Sequence, residues 1–106
     1  MYSVCNNTKW SELREAMLGI PEEQRPKRRS VVLDGFESDY DGEWYYHFRD
    51  GGYDELRHID VKSPNDVIDA AVLLAIRKLH LAASRVGPNI WRIFGYVADT
   101  NLAKTP

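Results

Sequence analysis

The chain has 106 residues, 43% of them hydrophobic and 28% charged, and a formal net charge of −2 at pH 7. This length and composition predict one globular domain over residues 1–106, with an ordered core at about 7–97 between a loose leader and a frayed tail. The chain lacks an apolar run of about 18 residues, a signal-peptide pattern and any cysteine besides Cys5, which argues against a membrane protein, a secreted protein and a disulfide framework. We therefore expect a cytoplasmic protein.

Charge is distributed unevenly along the chain. Residues 34–60 contain nine acidic and two basic side chains and carry a local charge of −7, whereas residues 1–33 carry +2 and residues 61–106 carry +3. The basic run at 25–29 lacks an aromatic or glycine-rich partner and is interpreted as a solvated loop. An acidic region attracts basic partners and repels nucleic acid, so we expect a basic protein partner and no nucleic acid.

The first helix is predicted over residues 8–19, where apolar side chains recur at helical spacing. Asn7 or Thr8 can provide its N-cap, and Gly19 followed by Pro21 ends it. The one-sided apolar pattern indicates a helix that packs on a sheet.

A β-hairpin is predicted in the middle of the chain. Asp50-Gly51 is a favoured two-residue turn, which pairs a strand at 43–48 with a strand at 53–61. A short β-branched strand at 30–33 precedes the hairpin, and an acidic loop joins the two.

Alternation along the hairpin assigns its side chains to two faces. The face predicted to lie in the core presents Trp44, Tyr46, Phe48, Tyr53, Ile59 and Val61. The face predicted to meet solvent presents Glu43, Tyr45, His47, Asp54, Leu56, His58 and Asp60. Glu55 and Arg57 interrupt the apolar face, so a β-bulge is predicted near residue 55.

The second helix is predicted over residues 64–80 from the start signal Ser63-Pro64, with Ser63 as the N-cap. A connection at 82–89 then leads to a last strand at 90–97. The helix has a wide apolar stripe that is predicted to be buried, formed by Val67, Ala71, Leu74, Ala75 and Leu79 and widened by Ile68, Val72 and Ile76. The order α-β-β-β-α-β predicts an α+β fold, a four-stranded, mainly antiparallel sheet with two helices packed on one face.

No residue pattern in the chain predicts catalysis, a cofactor or a metal site. His47 and His58 share the solvent face of the hairpin. Each lies opposite an acid in the predicted register, Asp54 and Glu43 respectively, so cross-strand ion pairs account for both histidines. Cys5 lies in the predicted leader without a nucleophile motif. We expect a protein that is not an enzyme and that binds neither a metal nor a cofactor.

Three segments of the chain resemble one protein family. They are Asn-Thr-Lys-Trp at 7–10, Asp-Gly-Glu-Trp-Tyr-Tyr-His-Phe at 41–48 followed by Gly-Gly-Tyr at 51–53, and Arg-Ile-Phe-Gly-Tyr-Val at 92–97. The family that they resemble consists of small, mostly bacterial, uncharacterised single-domain proteins, and the likeness spans residues 6–97.

The resemblance also shows where this chain is different. Family members have an aromatic residue at the position of His58 and a glycine-rich segment in place of 82–86. The family brings no established catalytic residues. Short proteins of this kind without enzymatic motifs are similar to the immunity proteins of bacterial toxin systems, and this similarity is what the resemblance implies about function.

The resemblance and the acidic centre of the chain lead to one functional hypothesis. We expect a cytoplasmic immunity protein that binds and neutralises a cognate bacterial toxin, for instance a nuclease with a basic cleft. The predicted partner-binding residues are Glu37, Asp39, Tyr40, Asp41, Glu43, Tyr45, His47, Asp54 and Glu55. The alternative is a small nucleic-acid-binding or regulatory protein-interaction module, because aromatic side chains on a sheet can stack on bases.

Overall fold

The computed structural model describes residues 2–42, 44, 56–99, 101 and 103–106. Its helices and strands follow in the order β1 (Tyr2–Ser3), α1 (Asn7–Leu18), β2 (Lys27–Val32), β3 (Leu56–Lys62), α2 (Asp66–Lys78), β4 (Ala83–Gly87), β5 (Ile90–Phe94) and β6 (Tyr96–Val97). A short 3-10 turn, Glu22–Gln24, separates α1 from β2.

The main sheet has four antiparallel strands in the order β2-β3-β5-β4, and β1 pairs with β6 in a separate two-stranded sheet. In the register of the main sheet, Asp60 of β3 lies between Arg29 of β2 and Arg92 of β5. The predicted α+β class, with a four-stranded antiparallel sheet and two helices, is confirmed.

The core lies between one face of the main sheet and both helices. The buried cluster there includes Trp10, Leu13, Met17, Ile59, Val61, Ile68, Val72, Ile76, Trp91 and Ile93. Each large apolar side chain that is fully buried stabilises a fold by about 1.5–3 kcal/mol, so this cluster is the main stabilising contact between the helices and the sheet. The opposite face of the sheet, which we call the open face, carries charged side chains from β2, β3 and β5.

Helix α2 buries a narrower stripe than its sequence predicts. Ile68, Val72 and Ile76 are buried as expected, but Val67 is 77% exposed and Leu74 is 67% exposed. Of the neighbouring stripe, Ala75 and Leu79 are half-buried and pack against the core, whereas Val67, Ala71 and Leu74 are exposed. Which stripe is buried depends on the helix's rotation against the sheet, and periodicity alone does not determine that rotation.

The start of α2 also differs from the prediction. Asn65 is the N-cap, and its side-chain oxygen accepts a hydrogen bond from Ile68 N at 2.9 Å. Ser63 N instead donates to the carbonyl oxygen of Asn89 at 2.8 Å. This bond keeps Ser63 in line with the sheet, so the chain reaches helical geometry only two residues later.

Both ends of the chain are more structured than predicted. Tyr2 pairs with Val97 in the small sheet, and Cys5 is buried in the core. At the other end, Ala83 N donates to the carbonyl oxygen of Lys104 at 3.0 Å. The predicted loose leader and frayed tail are therefore wrong in these parts, because the contacts are long-range and leave no local sequence pattern.

The predicted connection at 82–89 contains a strand. It forms β4, which pairs with β5 across a turn in which Asn89 has a φ of 58°. Most side chains of β4 are exposed, as expected for an edge strand, so β4 lacks the apolar alternation that predicts a strand. The predicted strand at 90–97 is divided into β5 and β6 at Gly95.

A β-bulge changes the faces of β3. Val31 pairs with His58 whereas Val32 pairs with Leu56, which leaves Arg57 as the extra residue. The bulge therefore lies two residues from its predicted position. Because it shifts the alternation, Leu56 is buried in the core and does not meet solvent as predicted.

The described part of the hairpin tests only some of its predicted pairs. His58 lies between Val31 of β2 and Phe94 of β5, so its predicted pairing with Glu43 is wrong. Trp44 is buried as predicted, and its indole nitrogen donates to the Pro26 carbonyl oxygen at 2.9 Å. The rest of the predicted strand at 43–48, the turn and the first residues of the second hairpin strand lie outside the described residues.

Candidate interaction surfaces

An acidic segment, residues 36–41, lies antiparallel beside β2 and is called the edge segment here. Arg28 N donates to Asp41 O and Asp41 N donates to Arg28 O, each at 2.9 Å. Further along, Ser38 N donates to Ser30 O at 2.9 Å. These backbone bonds give the segment a defined position at the edge of the sheet.

A tight turn joins β2 to the edge segment. The carboxylate of Asp34 accepts a hydrogen bond from Phe36 N at 2.9 Å. Gly35 has a φ of 95°, a left-handed conformation that favours glycine. Asp-Gly is thus the sequence feature that reverses the chain here.

The edge segment contains every predicted partner-binding residue that the structure describes. Glu37, Asp39 and Asp41 are exposed, and Tyr40 is half-buried. The remaining predicted residues lie outside the described part of the chain; they are Glu43, Tyr45, His47, Asp54 and Glu55. The structure therefore places three carboxylates and one tyrosine along one sheet edge.

Two apolar side chains beside these acids were not predicted. Phe36 is 67% exposed and Leu33 is 38% exposed, on either side of the Asp34–Gly35 turn. The sequence signal that could have predicted these two exposed side chains is the Asp-Gly pair between two large apolar residues. An exposed phenylalanine at such a position is a candidate contact for a partner.

A row of three charged side chains crosses the open face. Arg92 donates from Nε to Asp60 Oδ1 at 2.9 Å and from Nη2 to Oδ2 at 3.2 Å, and Arg29 Nη2 donates to Oδ2 at 2.9 Å. The side chain of Asp60 is only 2% exposed. Burial by itself raises the pKa of Asp60, but hydrogen bonds from Arg92 and Arg29 outweigh burial and hold that pKa below its ordinary value. We call these three residues the ion row.

Tyr40 connects the edge segment to the ion row. The guanidinium carbon of Arg29 and the ammonium nitrogen of Lys62 each lie 5.6 Å from the centroid of its ring, within cation–π range. Burial, followed by the nearby Asp60 carboxylate, raises the pKa of the Tyr40 phenol. The acidic edge and the cationic open face are therefore adjacent, with Tyr40 between them.

His58 lies next to the ion row on the open face. Its ring meets the ring of Phe94 edge to face, with 6.2 Å between centroids and an interplanar angle of 69°. Burial and the positive charge of Arg92 lower the pKa of His58, so the imidazole is neutral at pH 7. Its Nε2 atom is buried and has no hydrogen-bond partner in the described part of the chain.

A groove of about 360 Å³ opens beside the bulge of β3, and we call it the bulge groove. Its lining residues are Arg57, His58, Arg92, Phe94, Tyr96, Val97 and Ala98. The described part of this lining contains two guanidinium groups and no carboxylate. No sequence pattern indicated this groove, because its walls come from β3 and from the β5–β6 region, which are distant in sequence.

The remaining candidate groups do not form a reactive site in the described part of the chain. Burial raises the pKa of the Cys5 thiol to about 12, with Lys9 acting in the opposite direction, so Cys5 is a weak nucleophile at neutral pH. No three His, Cys, Asp or Glu side chains among the described residues could together hold a metal ion. Neither described helix has the length and apolar character needed to cross a membrane.

These observations define a small α+β protein whose antiparallel sheet carries helices on one face and charged side chains on the other. The chain belongs to a family that is described as "Family of unknown function (DUF6678)", whose model matches residues 1–100. This membership agrees with the resemblance to an uncharacterised family. No curated protein and no solved structure matches the chain.

Proposed function

We propose that this protein is a bacterial, cytoplasmic immunity protein, without enzymatic activity, that neutralises a basic toxin through its edge segment. One observation carries the proposal, namely that Phe36 is 67% exposed at the turn leading into a row of exposed carboxylates. Large aromatic side chains surrounded by polar groups are typical anchors of protein–protein interfaces.

The charge of the edge segment supports a basic partner. Glu37 and Asp39 are exposed, and neither forms a salt bridge with a described residue. A nuclease toxin has a cationic cleft for phosphates, which a row of carboxylates can occupy in their place. Complementary charge also steers the two proteins together and raises the association rate.

Tyr40 adds a rigid contact to this surface. Because Arg29 and Lys62 contact its ring, the side chain loses little further freedom when a partner covers it. Tyr40 and Phe36 would thus supply apolar contact area while the carboxylates supply charge. Exposed acids at a sheet edge also have a simpler role, since they prevent pairing with other chains. The experiment must separate these two roles.

The test is a growth assay in which the product of the neighbouring gene is expressed with and without this protein. We expect the wild-type protein to restore growth and the Glu37→Lys/Asp39→Lys variant to lose protection. The variant should still fold, because exposed charges contribute only about 0–1 kcal/mol each. For the purified pair, the association rate should fall about tenfold or more at low salt.

A matched control carries the same change of charge elsewhere. Glu12→Lys/Glu22→Lys reverses two exposed acids on α1 and on the 3-10 turn, and it should protect like the wild type. Phe36→Ser should weaken the complex by about 2 kcal/mol, roughly thirtyfold, if this side chain is an anchor. Equal protection by both double variants would place the interface elsewhere, and a non-toxic neighbouring product would contradict the immunity function.

The open face favours a second candidate function, a nucleic-acid-binding module. Arg29, Lys62 and Arg92 lie on this face, Asp60 is the acid that the described strands place between the two arginines, and Tyr40 offers a ring beside them. Cations together with exposed rings are typical of surfaces that bind single strands. A mobility shift with single-stranded RNA that weakens steeply with salt would support this function over the first.

A further inference from the structure

We infer that the bulge groove binds a small phosphate-bearing ligand with a planar ring, of the mononucleotide class. The site is formed by the guanidinium groups of Arg57 and Arg92 and by the apolar wall that contains Phe94. The inference is independent of the proposed immunity function, because the edge segment contributes no lining residue to the groove.

The cations of the groove are available to a ligand. Arg57 is the extra residue of the bulge and is exposed, and its side chain makes no hydrogen bond or salt bridge with a described residue. Arg92 uses Nε and Nη2 to bind Asp60 and is 32% exposed, which leaves its Nη1 nitrogen without a partner in the described part of the chain. Two guanidinium groups, with no carboxylate among the described residues of the lining, form an oxyanion-binding site.

The position of Arg92 is fixed before any ligand arrives. Its two hydrogen bonds to the buried Asp60 carboxylate hold the guanidinium in one orientation. A charged group that is already ordered loses little conformational entropy on binding, which raises affinity for a given contact. The Asp60 carboxylate neutralises one of the two positive charges of the ion row. Arg57 adds a further positive charge beside the row.

The apolar wall of the groove suits the planar ring of the ligand. Phe94 and Tyr96 are half-buried and line the groove together with Val97 and Ala98. Its volume of about 360 Å³ lies in the range of small-molecule sites, about 300–1,000 Å³. Partly exposed aromatic side chains offer apolar contact to a planar ring, as they do in sites that hold nucleobases. The combination of a cationic end and an aromatic wall matches a nucleotide better than it matches a free inorganic ion.

His58 lies in the groove and reports on its charge. The charged groups around it are Arg57, Arg92 and Arg29, which disfavour its protonation, and Asp60, which favours it. A bound phosphate would add negative charge and raise the pKa of the imidazole. Its ring signals are therefore a readout of anion binding that does not depend on any activity.

The experiment uses the full chain with AMP, inorganic phosphate and adenosine as probes, measured by calorimetry and by NMR titration of His58. We expect AMP to bind more tightly than phosphate or adenosine and to raise the pKa of His58. Arg57→Gln should weaken AMP binding about tenfold, as expected for one lost charge-assisted contact of about 1.4 kcal/mol. Lys78→Gln removes one exposed positive charge on α2 and should leave AMP binding unchanged.

Several results would overturn the inference. These are no binding of AMP at millimolar concentration, equal affinity of AMP for the wild type and Arg57→Gln, and equal binding of adenosine and AMP. The last measurement uses an adenine oligonucleotide as the binding probe. Affinity for the oligonucleotide similar to that for AMP supports a mononucleotide site, whereas an affinity more than about a hundredfold higher would assign the groove to nucleic acid.

Discussion

Gly95 directly follows β5, and the backbone of β3 lies close to it. A Cβ atom at this position would collide with the carbonyl oxygen of Leu56 and would lie 3.2 Å from the Trp10 ring. The backbone has no room to move, because Gly95 N donates to Arg57 O at 2.8 Å and Gly95 O accepts from Val4 N at 2.9 Å. Only glycine fits between these groups.

We therefore expect Gly95→Ala to destabilise the protein by at least about 1–3 kcal/mol, the usual effect of overpacking a core. The matched control is Gly42→Ala, where an added Cβ meets no described atom within 4 Å. The control should change the urea midpoint little. Similar midpoints for the two variants would contradict the close approach at Gly95.

His58 predicts a pH dependence of stability with a definite sign. Burial and Arg92 lower its pKa in the folded state, so the unfolded chain takes up the proton at higher pH, near 6.5. The contribution of neutral His58 to stability is therefore fully present above about pH 6.5. It is lost as the pH falls from there toward the folded-state pKa of His58. Asp60 affects stability only at lower pH. Its pKa is also lowered in the folded state, so its contribution to stability is lost only below about pH 3.8.

Urea unfolding between pH 5 and 7.5 tests this dependence. We expect the free energy of unfolding to fall toward pH 5 in the wild type and to fall less in His58→Gln. His80→Gln is the control, because His80 is exposed beyond the end of α2. A wild-type slope retained in His58→Gln would exclude His58 as its origin.

At the scale of elements, α2 begins where its cap side chain can reach a backbone donor. Asn65→Ala removes the hydrogen bond to Ile68 N and should destabilise the protein by about 1 kcal/mol. Ser63, which the sequence favours as the cap, has a buried hydroxyl without a hydrogen-bond partner among the described residues. Ser63→Ala should therefore be neutral or slightly stabilising. Thermal unfolding of the two variants measures both changes in stability. A larger loss of stability for Ser63→Ala than for Asn65→Ala would indicate that Ser63 is the N-cap.

The elements also show which sequence signals were sufficient. Helical periodicity located α1 and α2, and the β-branched run located the second half of β2, because these signals are local. The first half of β2, at 27–29, lies in the basic run that was interpreted as a loop, and that interpretation is wrong there. Strand β4 was missed because an exposed edge strand needs no apolar alternation. The tip with Phe36 could have been predicted from its Asp-Gly turn. The ion row could not, since Arg29, Asp60 and Arg92 come from three strands, and only the register brings them together.

At the scale of the whole molecule, charge of opposite sign lies on adjoining surfaces. The edge segment carries exposed carboxylates, whereas the open face and the bulge groove carry arginine and lysine side chains. Tyr40 lies at the boundary between them. Local charge was therefore predictable from the sequence only for the acidic segment, because the cationic surface is assembled from residues far apart in the chain.

The ion row has a consequence for the choice of denaturant. Guanidinium chloride is a salt whose cation has the same head group as arginine, so it both screens the row and competes for the Asp60 carboxylate. Urea does neither. We expect the free energy of unfolding extrapolated from guanidinium chloride to be lower than that from urea, and about 1 M sodium chloride in the urea series to reduce the difference. Agreement between the two denaturants without added salt would mean that Asp60 and its arginines contribute little to the stability of the folded protein.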